Sequence, residues 1–319
     1  MPTENTGERA ICPLYPFECN SESVELASGI RIERASDSFK EFLSQRCLGS
    51  DSFWDDESKV EKAWMASIPY LDRPFDMTLG TAHYAKQDRE EVLANLFSAR
   101  TERLVFSFVT ALRLHKEGLV SPGPIVLPLF KGSEPMLLTP EWLNISSYDY
   151  TFEEPRVFKL LATDLPAINA VMADVNSWRV KRDPKNMQVA LTRFHSSYGG
   201  GCEERIIDQM VAFETICLED EQELKYRLAL RVACLVGRDA KTKITIFKDM
   251  RHAYKLRSDI VHGDTDVDDE EVESILPKTE EYLRVTIRKF LSLLSRGYKF
   301  AQIRPELLDK NILDTEMHL

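Results

Sequence analysis

Beyond residue 185, apolar residues recur at intervals of three and four with few interruptions. That spacing predicts helices over 186–197, 203–218, 221–236, 241–262 and 270–297, with a short one near 304–312, and together they read as a helical bundle. The first half is mixed. Residues 24–34 alternate as a strand does. Residues 88–118 open on Asp-Arg-Glu-Glu, carry leucines and phenylalanines at helical spacing and close on Lys-Glu-Gly, predicting one long helix or two joined ones that stop at Gly118. Pro-Gly-Pro at 122–124 breaks the pattern before a short strand, IVLPLF, and 155–178 is again helical. The polar stretch RVKRDPKN at 179–186 is the best boundary. The fold class is therefore α+β: an N-terminal mixed α+β domain over 1–184 and an all-α bundle over 185–319. The three glycines at 199–201 lack the Lys-Ser or Lys-Thr of a phosphate-cradling loop, so they read as a connector.

Composition narrows the class. With 319 residues, 43% hydrophobic and 29% charged, the chain can bury cores without metal or disulfide staples, which excludes disordered, collagen-like and coiled-coil proteins. No apolar run approaches the ~20 residues that span a bilayer, and the N-terminus lacks a basic region followed by an apolar one; the expected location is cytoplasmic. Six cysteines (Cys12, Cys19, Cys47, Cys202, Cys217, Cys234) occur with no C-x-x-C, so reduced thiols, no metal and no cofactor are expected. Net charge is -11, of which residues 1–184 contribute -8 and 185–319 contribute -3, so neither half is a generally basic nucleic-acid binder.

Three charged residues fall within apolar helical stripes. Glu214 shares a face with Ile207, Met210, Val211 and Leu218; Arg231 with Leu224, Leu228 and Leu235; Arg257 with Phe247, Met250, Tyr254 and Val261. A buried unpaired charge costs several kcal/mol, so a Glu214–Arg231 network is expected, with Arg257 harder to explain as packing. The same helix carries Lys248, Arg251, Lys255 and His262 within roughly 60° of one another, one cationic face. Residues 238–257 hold seven basic and two acidic residues, a local +5. An acidic run follows (Asp264, Asp266, Asp268, Asp269, Glu270, Glu271, Glu273), suited to the start of the next helix, as Glu203, Glu204 and Asp208 are suited to theirs. His83, His115, His195 and His252 have no catalytic pattern beside them and read as structural.

Arg257-Ser-Asp-Ile-Val-His262 closes the cationic helix. This Arg-x4-His spacing in a helical bundle resembles the HEPN superfamily, defined by Arg-x4-6-His. EERIIDQMVAFETICL (203–218), KYRLALRVACLVG (225–237) and YKLRSDIVHG (254–263) look like the run of helices in its Apea-like group, over about 185–297. The resemblance implies a metal-independent endoribonuclease, commonly a dimer with facing motifs, serving antiviral (abortive infection) or toxin–antitoxin defence. By motif position Arg257 and His262 would be the catalytic pair. Ser258, Asp259, Glu214 and Arg231 would support them, and Lys248, Arg251 and Lys255 would bind RNA. Implied partners are an RNA substrate, a second copy through the bundle, and an inhibitory or activating protein; no membrane is implied. Two departures stand out. Ser258 occupies a position where the wider superfamily often has Asn, Asp or His, and Asp264 replaces the tyrosine of the partner-modified toxin variant.

The chemistry fits those residue types. RNA cleaves itself when its 2′-hydroxyl attacks the neighbouring phosphate; a histidine near neutrality moves the proton, and an arginine stabilises charge on phosphorus. Five residues of helix rotate the two side chains apart by about 140°, so a two-fold partner could supply the missing half. The competing expectation is a non-catalytic HEPN module for dimerisation or for nucleotide or RNA binding. The N-terminal domain would sense, bind or restrain.

Overall fold

The computed structural model describes residues 9–47, 62–69, 86–127, 136–138, 156–180, 185–218, 223–263 and 267–304. The chain is mixed α+β, with a small sheet toward its N-terminus and a helical C-terminal region. It divides into two compact units; the second contains Arg113–Glu117 and the described chain from Ala170 onward. Among the described residues no helix is long and apolar enough to cross a membrane.

In the first unit the strands are β1 (Arg9–Tyr15), β2 (Phe17–Cys19), β3 (Ser23–Glu25), β4 (Arg31–Arg34), β5 (Trp64–Pro69), β6 (Ser121–Pro122), β7 (Ile125–Leu127), β8 (Met136–Leu138) and β9 (Phe158–Leu160). The main sheet is antiparallel in the order β3-β4-β5-β1-β7-β8, with β6 also on β1. Its logic is period two: along β5, Trp64, Ala66 and Ile68 are buried while Met65 and Ser67 are less so. Helix α1 (Asp37–Cys47) seats Phe39 and Leu43 in a cluster with Ile11, Ala35, Ala63 and Val126.

Two expectations change here. Residues 24–34 form a hairpin, with Val24 opposite Ile32, because Leu26 and Ile30 close a turn around Ala-Ser-Gly. The helix expected over 155–178 begins only at Leu165, where α3 (Leu165–Val180) starts. Before it, Phe158 and Leu160 are buried and Lys159 exposed, and this alternation pairs β9 parallel to β2. The long helix α2 (Lys86–His115) is continuous. Gly118 follows it at φ +125°, where a Cβ would lie 2.8 Å from Phe158 Cα; only glycine lets the chain turn and approach β9 so closely.

The second unit is built from α4 (Lys185–Ser196), α5 (Cys202–Cys217), α6 (Leu224–Val236), α7 (Ala240–His262), α8 (Asp269–Ser295) and the short α9 (Phe300–Ile303). Each presents one apolar stripe inward: Phe194 from α4, Phe213 from α5, Leu228 and Val232 from α6, Met250 and Leu256 from α7, Ile287 and Phe290 from α8. Caps place the ends. Gly201 N–H donates to Glu204 at 2.7 Å, as its first-turn position predicts, and Asp239 accepts from Thr242 N–H at 2.8 Å while Thr242 accepts from Asp239 N–H. Asp268 caps α8 by accepting from Glu270 N–H, with Asp269, Glu270 and Glu271 in the first turn, so this part of the acidic run offsets the helix's positive end. Asp264 and Asp266 lie outside the described residues.

Candidate functional site

The site is organised by α7. This helix carries two apolar stripes, and the buried one is Ile246, Met250, Ala253 and Leu256. Of the stripe expected from Phe247, Met250, Tyr254 and Val261, Met250 alone is fully buried, while the other three lie on the outer side and Val261 is 53% exposed. Periodicity alone does not choose between two stripes set ~100° apart on the same helix. Arg257 follows the buried stripe and is therefore half-buried at its margin, facing α5.

There Arg257 Nη2 lies 3.6 Å from Glu214 Oε2, the two side chains being 25% and 23% exposed. The Tyr254 hydroxyl faces the Glu214 carboxylate and helps to hold its charge, and the Arg257 guanidinium stands 5.9 Å from the Tyr254 ring centre. Burial pushes the Glu214 carboxyl up from its ordinary value, against the opposing pull of Arg257 and the tyrosine hydroxyl. Two atoms of this trio are buried without a hydrogen bond, Arg257 Nε and Glu214 Oε1. The guanidinium is thus anchored at Nη2, and its Nε is enclosed without an acceptor.

The expected Glu214–Arg231 network is not formed. Arg231 is buried and donates to the carbonyl of Cys217 at 2.6 Å, while Arg304 donates to the carbonyls of Ile216 and Thr215. Both cations sit on the negative end of α5, a favourable use of charge that leaves Glu214, one turn earlier, to Arg257.

The cationic face is as the spacing requires: Lys248, Arg251, Lys255 and His262 are all exposed. Lys255 pairs with Asp259 at 3.4 Å, and Ser258 and Asp259 are half-buried between the motif residues. His262 is the last residue of α7, exposed beside Gly263, whose φ of +78° closes the helix through its N–H to Ile260 O. Among the described residues Arg257 and His262 share no hydrogen bond or ion pair, in keeping with their angular separation.

A second charged cluster escaped the sequence reading. Glu280 and Arg284 pair within α8, Arg205 Nη2 lies 3.7 Å from Glu280, and all three are buried. Arg284 also donates to Tyr198, which donates to the carbonyl of Arg113. Arg113 in turn donates to His195 Nδ1 at 2.9 Å and covers the Tyr198 ring. Burial, then Arg113 and Arg179, hold the His195 imidazole well below its usual range, so it is neutral and structural. The available signal was Glu280 and Arg284 four apart on the face of Leu276, Leu283 and Ile287. His252 pairs with Glu271 at 3.3 Å.

Among the described residues no group of three or more His, Cys, Asp or Glu could hold a metal ion. No protein-family model, no curated protein and no solved structure matches the chain.

Proposed function

We propose that the helical unit is a HEPN bundle of the Apea-like group, working in the cytoplasm as an endoribonuclease that cleaves single-stranded RNA without a metal ion. The observation that carries this reading is the setting of Arg257. It is anchored by Glu214, keeps a quarter of its side chain exposed, and stands on the helix whose exposed cationic face ends at His262. In the reaction the substrate 2′-oxygen bonds to the adjacent phosphorus and the bond from phosphorus to the 5′-oxygen breaks. His262 transfers the proton, Arg257 stabilises the charge on the phosphoryl oxygens, and Lys248, Arg251 and Lys255 hold flanking phosphates. Glu214 orients Arg257, with Ser258 and Asp259 between the pair and Arg231 supporting α5. Splayed single strands let the 2′-oxygen align with the leaving oxygen.

A homodimer completes the pair, one copy's Arg257 facing the other copy's His262 across a two-fold axis. The same family reading gives an effector of abortive-infection or toxin–antitoxin defence, with 1–184 sensing, binding or restraining and a further protein as inhibitor or activator. The Glu214–Arg257 ion pair favours a second reading, a non-catalytic HEPN module that dimerises or holds nucleotide or RNA.

Incubation with RNA in chelator-containing buffer separates them. The first reading expects 2′,3′-cyclic phosphate and 5′-hydroxyl ends, no cleavage of 2′-O-methyl RNA, and a loss of about 10²- to 10³-fold in rate for Arg257→Ala. Binding without cleavage selects the second, and cleavage of 2′-O-methyl RNA would reject the 2′-hydroxyl mechanism.

A further inference from the structure

The outer apolar stripe of α7 is half-buried at Phe247 and Tyr254 and exposed at Val261, and it is not a plain hydrophobic face. Tyr226, at the start of α6, is 53% exposed and packs edge-to-face on Phe247, with ring centres 5.5 Å apart and planes at 80°. Arg251 stands 5.7 Å from the centre of the same Phe247 ring. At ~100° per residue, Phe247 lies ~40° beyond Arg251 around α7, Tyr254 ~60° beyond it, and Arg257 a further ~60°. The aromatic rings therefore line the strip between the exposed cations and Arg257. An aromatic step bordered by Lys248, Arg251 and Lys255 opposes an apolar protein partner, which would have to desolvate those charges, and suits a polyanion that carries flat rings.

We propose that Tyr226, backed by Phe247, is a stacking platform for a nucleobase of a bound single strand. The platform would select single strands over duplexes, because paired bases cannot leave the stack to reach it. It rests on the reading of this unit as a nucleic-acid-binding module and adds a recognition point remote from the motif. Phe247 and Arg257 are ten residues apart on a straight helix, about 15 Å. A stacked strand covers that in about four nucleotides at ~3.4 Å each, with the exposed lysines and Arg251 along the way. The platform would thus fix which nucleotide, counted from the base it holds, reaches the motif.

The test uses the full chain and single-stranded oligodeoxynucleotide, which has no 2′-hydroxyl and is not cut, in intact and abasic forms. Tyr226→Ala is expected to bind the intact strand about tenfold more weakly, the loss of one stacked base, and the abasic strand as wild type does. Tyr226→Phe and Tyr226→Trp are expected to keep wild-type affinity. Equal affinity of Tyr226→Ala and wild type for the intact strand would overturn the proposal. So would a Tyr226→Ala effect confined to oligomeric state, which would make this face an interface between copies. Because nothing is cleaved, failure here leaves the nuclease reading standing, and Tyr226-dependent binding by a chain that cuts no RNA leaves the platform standing.

Discussion

His195 accepts from Arg113 inside the bundle and stays neutral, whereas in the unfolded chain it takes up a proton below about pH 6.5. Its folded value is depressed, so the unfolded state binds more protons as pH falls; stability is complete above that pH and declines below it, by up to about 1.4 kcal/mol per pH unit. His195→Asn, which keeps an acceptor toward Arg113, is expected to flatten this slope between pH 6.5 and 5.5 in urea unfolding; parallel slopes for the two chains would contradict the assignment. Sequence spacing conveys the placement of Arg257 and His262 along α7 better than it conveys their partners. Arg257 as a charge at a packed margin and His262 at a helix end follow from position along α7 alone. That Glu214 meets Arg257 and not Arg231 depends on the rotation of α5 against α7, and on the carbonyls of Ile216 and Cys217 drawing two arginines to the helix end. No one-dimensional pattern contains that competition.

At the scale of elements, α4 to α8 were legible because each has a long periodic stripe, and some a recognisable start such as the Asp239–Thr242 box; the short helix expected near 304–312 lies, beyond Arg304, outside the described residues, and α9 is at Phe300–Ile303. Apart from β1 and β5, the strands of the first unit have two to four residues and are shorter than the windows that reveal a period. Phe158–Leu160 has three residues beside a true helix, and its extended form comes from pairing with Phe17–Cys19, far away in sequence. α7 is the element where two stripes compete, so its outer face is read through binding. Replacing Lys248, Arg251 and Lys255 together with alanine is expected to make the salt dependence of single-strand binding shallower by about 2 in the slope of log K against log salt, or about 0.7 per lost phosphate contact. Lys159→Ala, an exposed lysine of the first unit, serves as the control. An unchanged slope in the triple variant would remove this face from the phosphate path.

For the whole molecule, a net charge of -11 repels polyanions generally, and the proposed reading has them held at the exposed cationic strip of α7. Such focusing serves a nuclease, whose substrate must arrive in one orientation, and the helical unit holds both parts of the proposed chemistry on the helix that carries the strip. His262 is exposed at a helix end and packs no core, so its removal leaves the fold intact and reports chemistry alone. The decisive measurement is the cleavage rate of one labelled single-stranded RNA by wild-type chain and by His262→Ala, side by side in chelator at neutral pH. Loss of about 10²- to 10⁴-fold in rate with unchanged thermal stability is the predicted result. Equal specific activity of the two chains would contradict it.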